Sequence, residues 1–352
     1  ILSILVCPSQ YTTMRPILMH GHERAITYLK YSPDGDVFFS AAKDSTPTMW
    51  RASTGERIGV FHGHDGAVFQ LDTTSDTKYL ISASMESKSI IWEVNTGKVI
   101  KTISLDSPIR TVAVSEGDKF LCLGTMSFAR NGSCLFIYDL SVGMENLKDP
   151  LIVIKDVCPL SVNIVSVIWS PLNKSLILGC TDGHIRIVDA ESGKLNKTIE
   201  AHEGDITSLI ASYDRTMFAT SSKDASAKIY DMLTYEELAC YKTDRPLNGV
   251  ALSPIFDHMV VVGGVEARDV TTTRTQKMES LFFNYAVKEE IGRVKGSFGT
   301  MNSVQFSPDG KSFITGGEDG YVRLCFFDDE YFKKDANEEK RLRELEAMAT
   351  KQ

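Results

Sequence analysis

The stretch HGHDGAVFQLDTTSDTKYLISASMESKSIIWE, residues 62–93, decides the fold, because its landmarks recur along the chain. A histidine near its start, His64, precedes Trp92 near its end by 28 positions. The same interval separates an equivalent pair in two other places, His22–Trp50 and His202–Tyr230. Self-similarity at a fixed period is the signature of a repeat architecture, so the repeat is the first feature to establish.

Two further intervals agree with this period in five units. A Ser or Thr lies 18 positions before the tryptophan-type position, at Ser32, Thr74, Ser170, Ser212 and Ser307. An acid lies six positions before it, at Asp44, Glu86, Asp182, Asp224 and Asp319. The unit is therefore a repeat of about 40–45 residues, as in the blades of WD propellers.

Each unit contains four short runs rich in Val, Ile, Leu and Tyr, separated by turn sequences such as TSDT and NTGK. Such runs predict four antiparallel strands. One sheet cannot bury both faces, so copies must stack around a ring. We expect an all-β, seven-bladed WD-repeat β-propeller over residues 14–329. The terminal strand Arg15–Met19 should close the ring as the outermost strand of blade seven.

The two ends of the chain differ from the repeats. Residues 1–13 are expected to be a poorly ordered leader, and residues 330–352 a C-terminal tail. Within the tail, Leu342, Leu345 and Met348 recur at helical spacing among charged residues. This pattern predicts a short helix over 335–351 that either packs on a neighbour or frays in water.

The recurring polar residues predict a buried hydrogen-bonded chain in each regular blade. A fully satisfied network of this kind pins the loops between blades, whereas a half-satisfied one is costly. In blade two its members should be His64, Ser84, Glu86 and Trp92. In blade five they should be His202, Ser222, Asp224 and Tyr230. In blade one the corresponding residues are His22, Asp44 and Trp50.

Composition narrows the class of partner. Hydrophobic residues make up 43% of the chain and charged residues 24%, which is ordinary for a globular protein. The net charge of −8 argues against a general grip on nucleic acid, which needs Lys and Arg to displace phosphate counterions. The seven cysteines are scattered without a CxxC motif, which indicates reduced thiols in the cytosol. No apolar run is long enough to span a membrane.

Motifs for chemistry are sparse. Two HGH triplets, at 20–22 and 62–64, could suggest metal ligands, but zinc would need two more donors nearby. Gly310-Lys311-Ser312 resembles the end of a phosphate-binding loop without its upstream glycine. We therefore expect no catalytic, metal or cofactor site. A hydrolase with its groups lining the central channel is the enzymatic alternative, and it would need a His or acid cluster on the innermost strands.

Several segments are more specific than the repeat itself. The chain resembles the WD-repeat subunit i of eukaryotic translation initiation factor three over about 14–332. The resemblance is carried by five segments: MRPILMHGHERAIT (14–27), DRPLNGVALSP (244–254), ARDVTTT (267–273), EEIGRVKGSFG (289–299) and FSPDGKSFITGGEDGYVR (306–323). ARDVTTT and EEIGRVKG are not shared by propellers in general, and they favour this family over a WD adaptor in receptor-kinase signalling or RNA–protein assembly.

The resemblance implies a non-catalytic, cytoplasmic scaffold. In the family, subunit i binds subunits b and g within the factor, which sits on the small ribosomal subunit and supports preinitiation-complex assembly and scanning. The surface for subunit b lies around blades five and six. Lys223 and Asp224 are the residues that this implies for partner binding, and Asp224 could instead serve only its blade's network. Little direct contact with nucleic acid is expected.

Overall fold

The computed structural model describes residues 16–129, 131–264, 278–329 and 331–333. Within these residues, 28 strands form seven four-stranded antiparallel sheets. In each sheet the strands run in sequence order from the inside of a ring to its rim, with one exception in the last. The chain is thus a seven-bladed β-propeller, and the predicted fold class is confirmed.

The strands of the first four blades, innermost first, have the following bounds. Blade one contains β2 Ile26–Tyr31, β3 Val37–Ala42, β4 Thr48–Arg51 and β5 Arg57–Val60. Blade two contains β6 Val68–Thr73, β7 Tyr79–Ser84, β8 Lys88–Glu93 and β9 Val99–Ser104. Blade three contains β10 Ile109–Val114, β11 Phe120–Thr125, β12 Leu135–Asp139 and β13 Ile152–Ile154. Blade four contains β14 Ile164–Trp169, β15 Ser175–Cys180, β16 His184–Asp189 and β17 Leu195–Glu200.

The remaining three blades complete the ring. Blade five contains β18 Ile206–Ala211, β19 Met217–Ser222, β20 Ser226–Asp231 and β21 Glu237–Lys242. Blade six contains β22 Leu247–Leu252, β23 His258–Gly263, β24 Glu279–Asn284 and β25 Glu289–Lys295. Blade seven contains β26 Met301–Phe306, β27 Ser312–Gly317, β28 Tyr321–Phe326 and, as its outer strand, β1 Ile17–His20. Short 3₁₀ turns lie at Glu116–Asp118, Leu140–Val142, Met144–Asn146 and Pro171–Asn173.

The first strand closes the ring, as the sequence predicts. β1 pairs antiparallel with β28, and Met19 lies opposite Val322 in that register. Joining the two ends of the repeat region in one sheet leaves no blade with a missing strand, so the propeller has no open gap in its ring. The delayed third strand of blade three is also present, as β12, after the loop that begins at Met126.

The hydrophobic core lies between neighbouring blades rather than within one. Between blades one and two, Phe39 and Ala41 of β3 pack in one cluster with Leu71, Leu80 and Trp92. All five are essentially inaccessible to water. Equivalent clusters occur at the other blade boundaries, so each sheet buries its two faces against its two neighbours.

The two faces of the ring carry different loops. We call "top" the face with the loops that join blades and the loops between second and third strands. The opposite, or bottom, face carries the SPDG-type turns and the C-terminal segment. There, 331–333 are helical, Tyr331 stacks on Phe327 at 4.0 Å and its hydroxyl lies 2.6 Å from His258 Nδ1. The expectations for the leader, for ARDVTTT and for the helix over 335–351 lie outside the described residues.

Two further findings concern the described part of the chain. No helix there is long and apolar enough to cross a membrane. Six cysteines are described, and all are free thiols: Cys122, Cys134, Cys158, Cys180, Cys240 and Cys325.

Candidate functional site

Blade one shows how the top face is held together. Asp44 Oδ2 lies 2.8 Å from His22 Nδ1, and Ser40 Oγ lies 2.6 Å from His22 Nε2. The Trp50 indole N–H donates to the same Ser40 oxygen at 2.8 Å. The single Ser40 hydroxyl thus joins the tryptophan to the histidine. The chain of bonds joins the blade's entry loop to its second and third strands.

The glycine before the histidine belongs to this arrangement. A Cβ added at Gly21 would lie 2.5 Å from the end of the Trp50 ring. That is far closer than nonbonded carbon atoms approach one another. Glycine is therefore needed at position 21, because the chain passes directly over the Trp50 indole before it supplies the His22 imidazole.

Blade two has an equivalent network, in which two of the predicted bonds are corrected. His64 Nδ1 bonds the Glu86 carboxylate, but its Nε2 lies 2.6 Å from Ser82 Oγ, not Ser84. The Ser84 hydroxyl instead donates to the Ala67 carbonyl at 3.0 Å. The Trp92 indole N–H also departs from the prediction, since it donates to the His62 carbonyl at 3.0 Å. Successive residues of a strand face opposite sides, so Ser82 and Ser84 lie on the same face. They differ only in their position along the strand, and this decides which of them reaches His64.

In blade five, too, the hydroxyl that bonds the histidine is two positions earlier than predicted. His202 Nε2 lies 2.8 Å from Thr220 Oγ1, whereas the predicted member Ser222 donates to the Gly204 carbonyl at 3.1 Å. The buried Tyr230 hydroxyl has no hydrogen-bond partner among the described residues, so the predicted end of the chain is not made.

The acid of blade five is saturated with donors. Asp224 Oδ2 accepts from the Glu203 N–H at 3.1 Å and lies 3.1 Å from His202 Nδ1. Asp224 Oδ1 accepts from the Ser226 N–H at 2.9 Å and from its hydroxyl at 2.6 Å. Its side chain is only 16% exposed. Asp224 therefore holds the top loops of blade five together through hydrogen bonds within the protein.

The networks shift the pKa values of their members. Burial lowers the pKa of His64 and of His202, and the neighbouring carboxylates oppose this shift without cancelling it. Burial alone would raise the pKa of Asp224, but its bonds from Ser226 and His202 more than offset this effect and leave it lowered. The histidines are therefore neutral and the acid ionised near pH 7.

Blades four and seven hold the same acid position with arginine, which the sequence analysis missed. Arg186 donates to both oxygens of Asp182, at 2.9 and 2.5 Å. In blade seven, Arg323 donates in the same way to Asp319 and also to the Gly296 carbonyl at 2.9 Å. A visible signal existed, because these two blades lack the histidine 22 positions before the acid and carry arginine four positions after it.

Blade six uses a third arrangement, which centres on the buried Glu279 of β24. Its carboxylate lies 3.4 Å from Arg293 Nη1 and 3.7 Å from Lys295 Nζ. Arg245 Nη2 lies 4.0 Å away. A carboxylate side chain thus holds together each described blade top except that of blade three.

The exposed part of the blade-five top is an ion pair above this network. Lys223, next to Asp224, places its Nζ 3.6 Å from Asp205 Oδ2, and the two side chains are 47% and 46% exposed. Blade one carries a counterpart at the same loop position, where Lys43 lies 3.4 Å from Glu318 and is 48% exposed. We call Lys223, Asp205 and the supporting Asp224 the blade-five rim.

The described residues show no group of three or more His, Cys, Asp or Glu placed to hold a metal ion. Gly310 and Lys311 end the turn between β26 and β27, and the N–H of Ser312, the first residue of β27, donates to Ser307 Oγ at 3.0 Å. The backbone N–H of Ser312 is thus occupied by a hydrogen bond within the turn. The top mouth of the central channel is a cavity of about 370 Å³ whose wall includes Lys43, Lys223 and Arg110.

Comparison with known proteins places this geometry in a family. The family model described as EIF3I matches residues 14–337. Eukaryotic translation initiation factor 3 subunit I of Xenopus tropicalis is 41% identical over 327 residues, covering 91% of this chain and 98% of the relative. The human protein of that name is 41% identical over 328 residues with the same coverage, and that of Nematostella vectensis 41% over 321 residues, 90% of this chain and 98% of the relative.

Proposed function

Because the chain belongs to the family of eukaryotic translation initiation factor 3 subunit I, we propose that it is a non-catalytic scaffold within that factor. It binds the sister subunits b and g in the cytoplasm and supports assembly of the 43S preinitiation complex and scanning on the small ribosomal subunit. The blade-five rim supplies the contact for subunit b. The observation that carries this proposal is an exposed ion pair set on a saturated hydrogen-bond network.

The network supports docking because it prepares the rim in advance. A partner that orders a mobile loop loses affinity to the entropy of ordering, whereas a loop already fastened by Asp224 and His202 avoids that loss. Asp224 itself has its oxygens occupied from within the blade. We therefore assign it the role of positioning the loop, and Lys223 the direct contact.

Charge provides the recognition. Lys223 and Asp205 present one charge of each sign at the surface, and their mutual pair at 3.6 Å is weak because both groups are half-exposed. Each can exchange its partner for an opposite charge on a docking helix at little cost. Charges at the rim of an interface act mainly on orientation and association rate.

The test is the affinity for purified subunit b, measured by biolayer interferometry at low and moderate salt. Lys223→Glu should weaken binding about tenfold and flatten its salt dependence, since it places a like charge against the partner. Lys43→Glu is the matched control, because Lys43 occupies the same loop position with equal exposure and a similar ion pair. Equal losses for both variants, or none for Lys223→Glu, would refute the assignment to blade five.

A second variant separates docking from folding. The charge swap Lys223→Glu with Asp205→Lys retains an ion pair within the rim, so its melting temperature should match that of the wild type. Its affinity for subunit b should still fall. If the swap restored full binding, the rim pair would act only within the blade and the contact would lie elsewhere.

Contact with ribosomal RNA is expected to be indirect. The chain carries a net charge of −8, which opposes the counterion release that drives binding to RNA. Crosslinking of the purified factor on the small subunit should give protein–protein links from this chain. Abundant RNA links from its blade faces would contradict the scaffold role.

A further inference from the structure

Each innermost strand contains a β-bulge after its first residue. In β10, for example, Ile109 lies opposite Thr125 and Thr111 opposite Gly124, which leaves Arg110 without a partner in the ladder. Bulges redirect a side chain out of the regular alternation of a strand. The seven bulged residues all line the top mouth of the channel: Thr27, Phe69, Arg110, Val165, Thr207, Asn248 and Asn302.

Four of these residues join one blade to the next. Their side chains donate to the carbonyl that precedes the next bulge, over 2.5–3.0 Å. The bonds are Thr27 to Val68, Thr207 to Leu247, Asn248 to Met301 and Asn302 to Ile26. An unbroken series of hydrogen bonds therefore joins blades five, six, seven, one and two around this part of the mouth.

Blades two to four break this pattern. Phe69 and Val165 have no polar atoms in their side chains, and between them stands Arg110. Its guanidinium carbon lies 4.4 Å from the centre of the Phe69 ring. In the described part of the chain Arg110 makes no ion pair or hydrogen bond, and burial lowers its pKa to about 10. It is nevertheless charged at pH 7, so the mouth contains a cation that lacks an anion.

The other charges of the mouth do not supply that anion. Lys43 is paired with Glu318 and Lys223 with Asp205. Asn163 also lines the cavity, and its Oδ1 accepts from the Ser127 N–H at 2.8 Å. Its amide N–H groups make no bond within the described residues, so they can serve a ligand. One unpaired guanidinium and one amide donor thus share a wall of the cavity.

We propose that the channel mouth binds a single carboxylate group against Arg110. A carboxylate matches the planar fork of a guanidinium with two parallel hydrogen bonds. Its single charge equals the one uncompensated charge of the cavity, whereas a phosphate dianion would need a second free cation. A volume of about 370 Å³ admits an acidic side chain with its flanking peptide or a small carboxylic acid. This inference does not rest on the proposed docking to subunit b.

The test is isothermal titration calorimetry of the full chain at low salt with four probes. They are acetyl-Gly-Glu-Gly-amide, its glutamine counterpart, succinate and inorganic phosphate. The glutamate peptide or succinate should bind, and Arg110→Gln should weaken that binding about tenfold or more. Arg215→Gln is the matched control, because Arg215 is a half-buried arginine at the opposite mouth of the channel.

Each outcome decides the proposal. Tighter binding of the glutamate peptide than of succinate identifies a protein segment as the source of the carboxylate, and the reverse identifies a small acid. Phosphate binding more tightly than either would overturn the proposal. So would equal binding by Arg110→Gln and the wild type, a loss in Arg215→Gln instead, or no binding at about 10 mM probe. Melting temperatures establish that both variants are folded.

Discussion

The acid at the equivalent position is held in two different ways. Blades one, two and five use one arrangement, and blades four and seven use another. In the first group the acid bonds a histidine from the loop that enters the blade, and a serine or threonine continues the chain into the second strand. In the second group the acid bonds an arginine four positions later, on the third strand of its own blade.

The difference shows what the recurring acid requires. It needs a buried donor to remain ionised at the top of the sheet, and the fold accepts either a neutral imidazole or a guanidinium. The two solutions differ in their consequences. The histidine chain links separate loops and contains imidazoles whose pKa values, for His64 and His202, burial holds below the ordinary value, whereas an arginine keeps its charge at all relevant pH values.

The largest effect is expected from breaking a complete histidine chain. His22→Ala removes the partner of both Asp44 and Ser40 and leaves a cavity beneath the loop, so it should reduce the free energy of unfolding by about 3 kcal/mol. His20→Ala is the control, since His20 is exposed and lies outside the chain. Denaturant unfolding of the two variants measures the difference, and similar losses would show that the chain does not stabilise the blade.

Breaking the arginine arrangement should have a somewhat smaller effect. Arg186→Met removes both bonds to Asp182, which is 23% exposed and can regain water. We expect a loss of about 2 kcal/mol. The double variant Arg186→Met with Asp182→Ala should recover part of it, because it no longer leaves an unpaired carboxylate. A double variant less stable than the single one would show that packing, not charge, dominates here.

The tryptophan-type position offers a comparison within the histidine group. Trp50→Phe removes an indole donor that is bonded to Ser40 and should cost about 1 kcal/mol. Tyr230→Phe removes a buried hydroxyl with no partner in the described chain, and should leave stability unchanged or raise it by up to about 1 kcal/mol. Thermal unfolding of both variants checks the contrast. A clear loss in Tyr230→Phe would mean that its hydroxyl is bonded in solution.

The smallest effect is the dependence on pH. His64 and His202 have lowered pKa values in the folded chain, so the unfolded chain binds more protons as pH falls below about 6.5. Their contribution is complete above that pH and is lost during acidification toward the folded pKa. The melting temperature should therefore fall between pH 7.5 and 5.5.

Two variants test whether the histidines cause this pH dependence of the melting temperature. His64→Gln should show a shallower decline than the wild type, whereas Arg186→Met should decline in parallel with it. Identical slopes in all three proteins would remove the histidines as the cause.

The fold could be predicted because repetition averages out local ambiguity. One blade's strands are short and individually uncertain, but the intervals that end at Trp50, Trp92 and Tyr230 agree across the chain. The closing strand was predictable for a related reason, since the last unit has three strands and the run before the first unit has one.

The site was predictable only in part. The spacing identified the histidines and acids, but not the hydroxyl that joins them, because Ser82 and Ser84 lie on the same face of one strand. The correct hydroxyls, Ser82 and Thr220, each lie 18 positions after the histidine of their blade, so this interval could have identified them. The unpaired Arg110 could not be predicted, since its environment arises only when seven bulges meet around one axis.

The most direct measurement is a density map of this chain bound to sister subunit b. We expect a segment of subunit b to lie over the top of blade five, with an acidic group against Lys223 and the loop at Asp224 unchanged. A map that placed subunit b only on other blades, with the blade-five rim open to solvent, would contradict it.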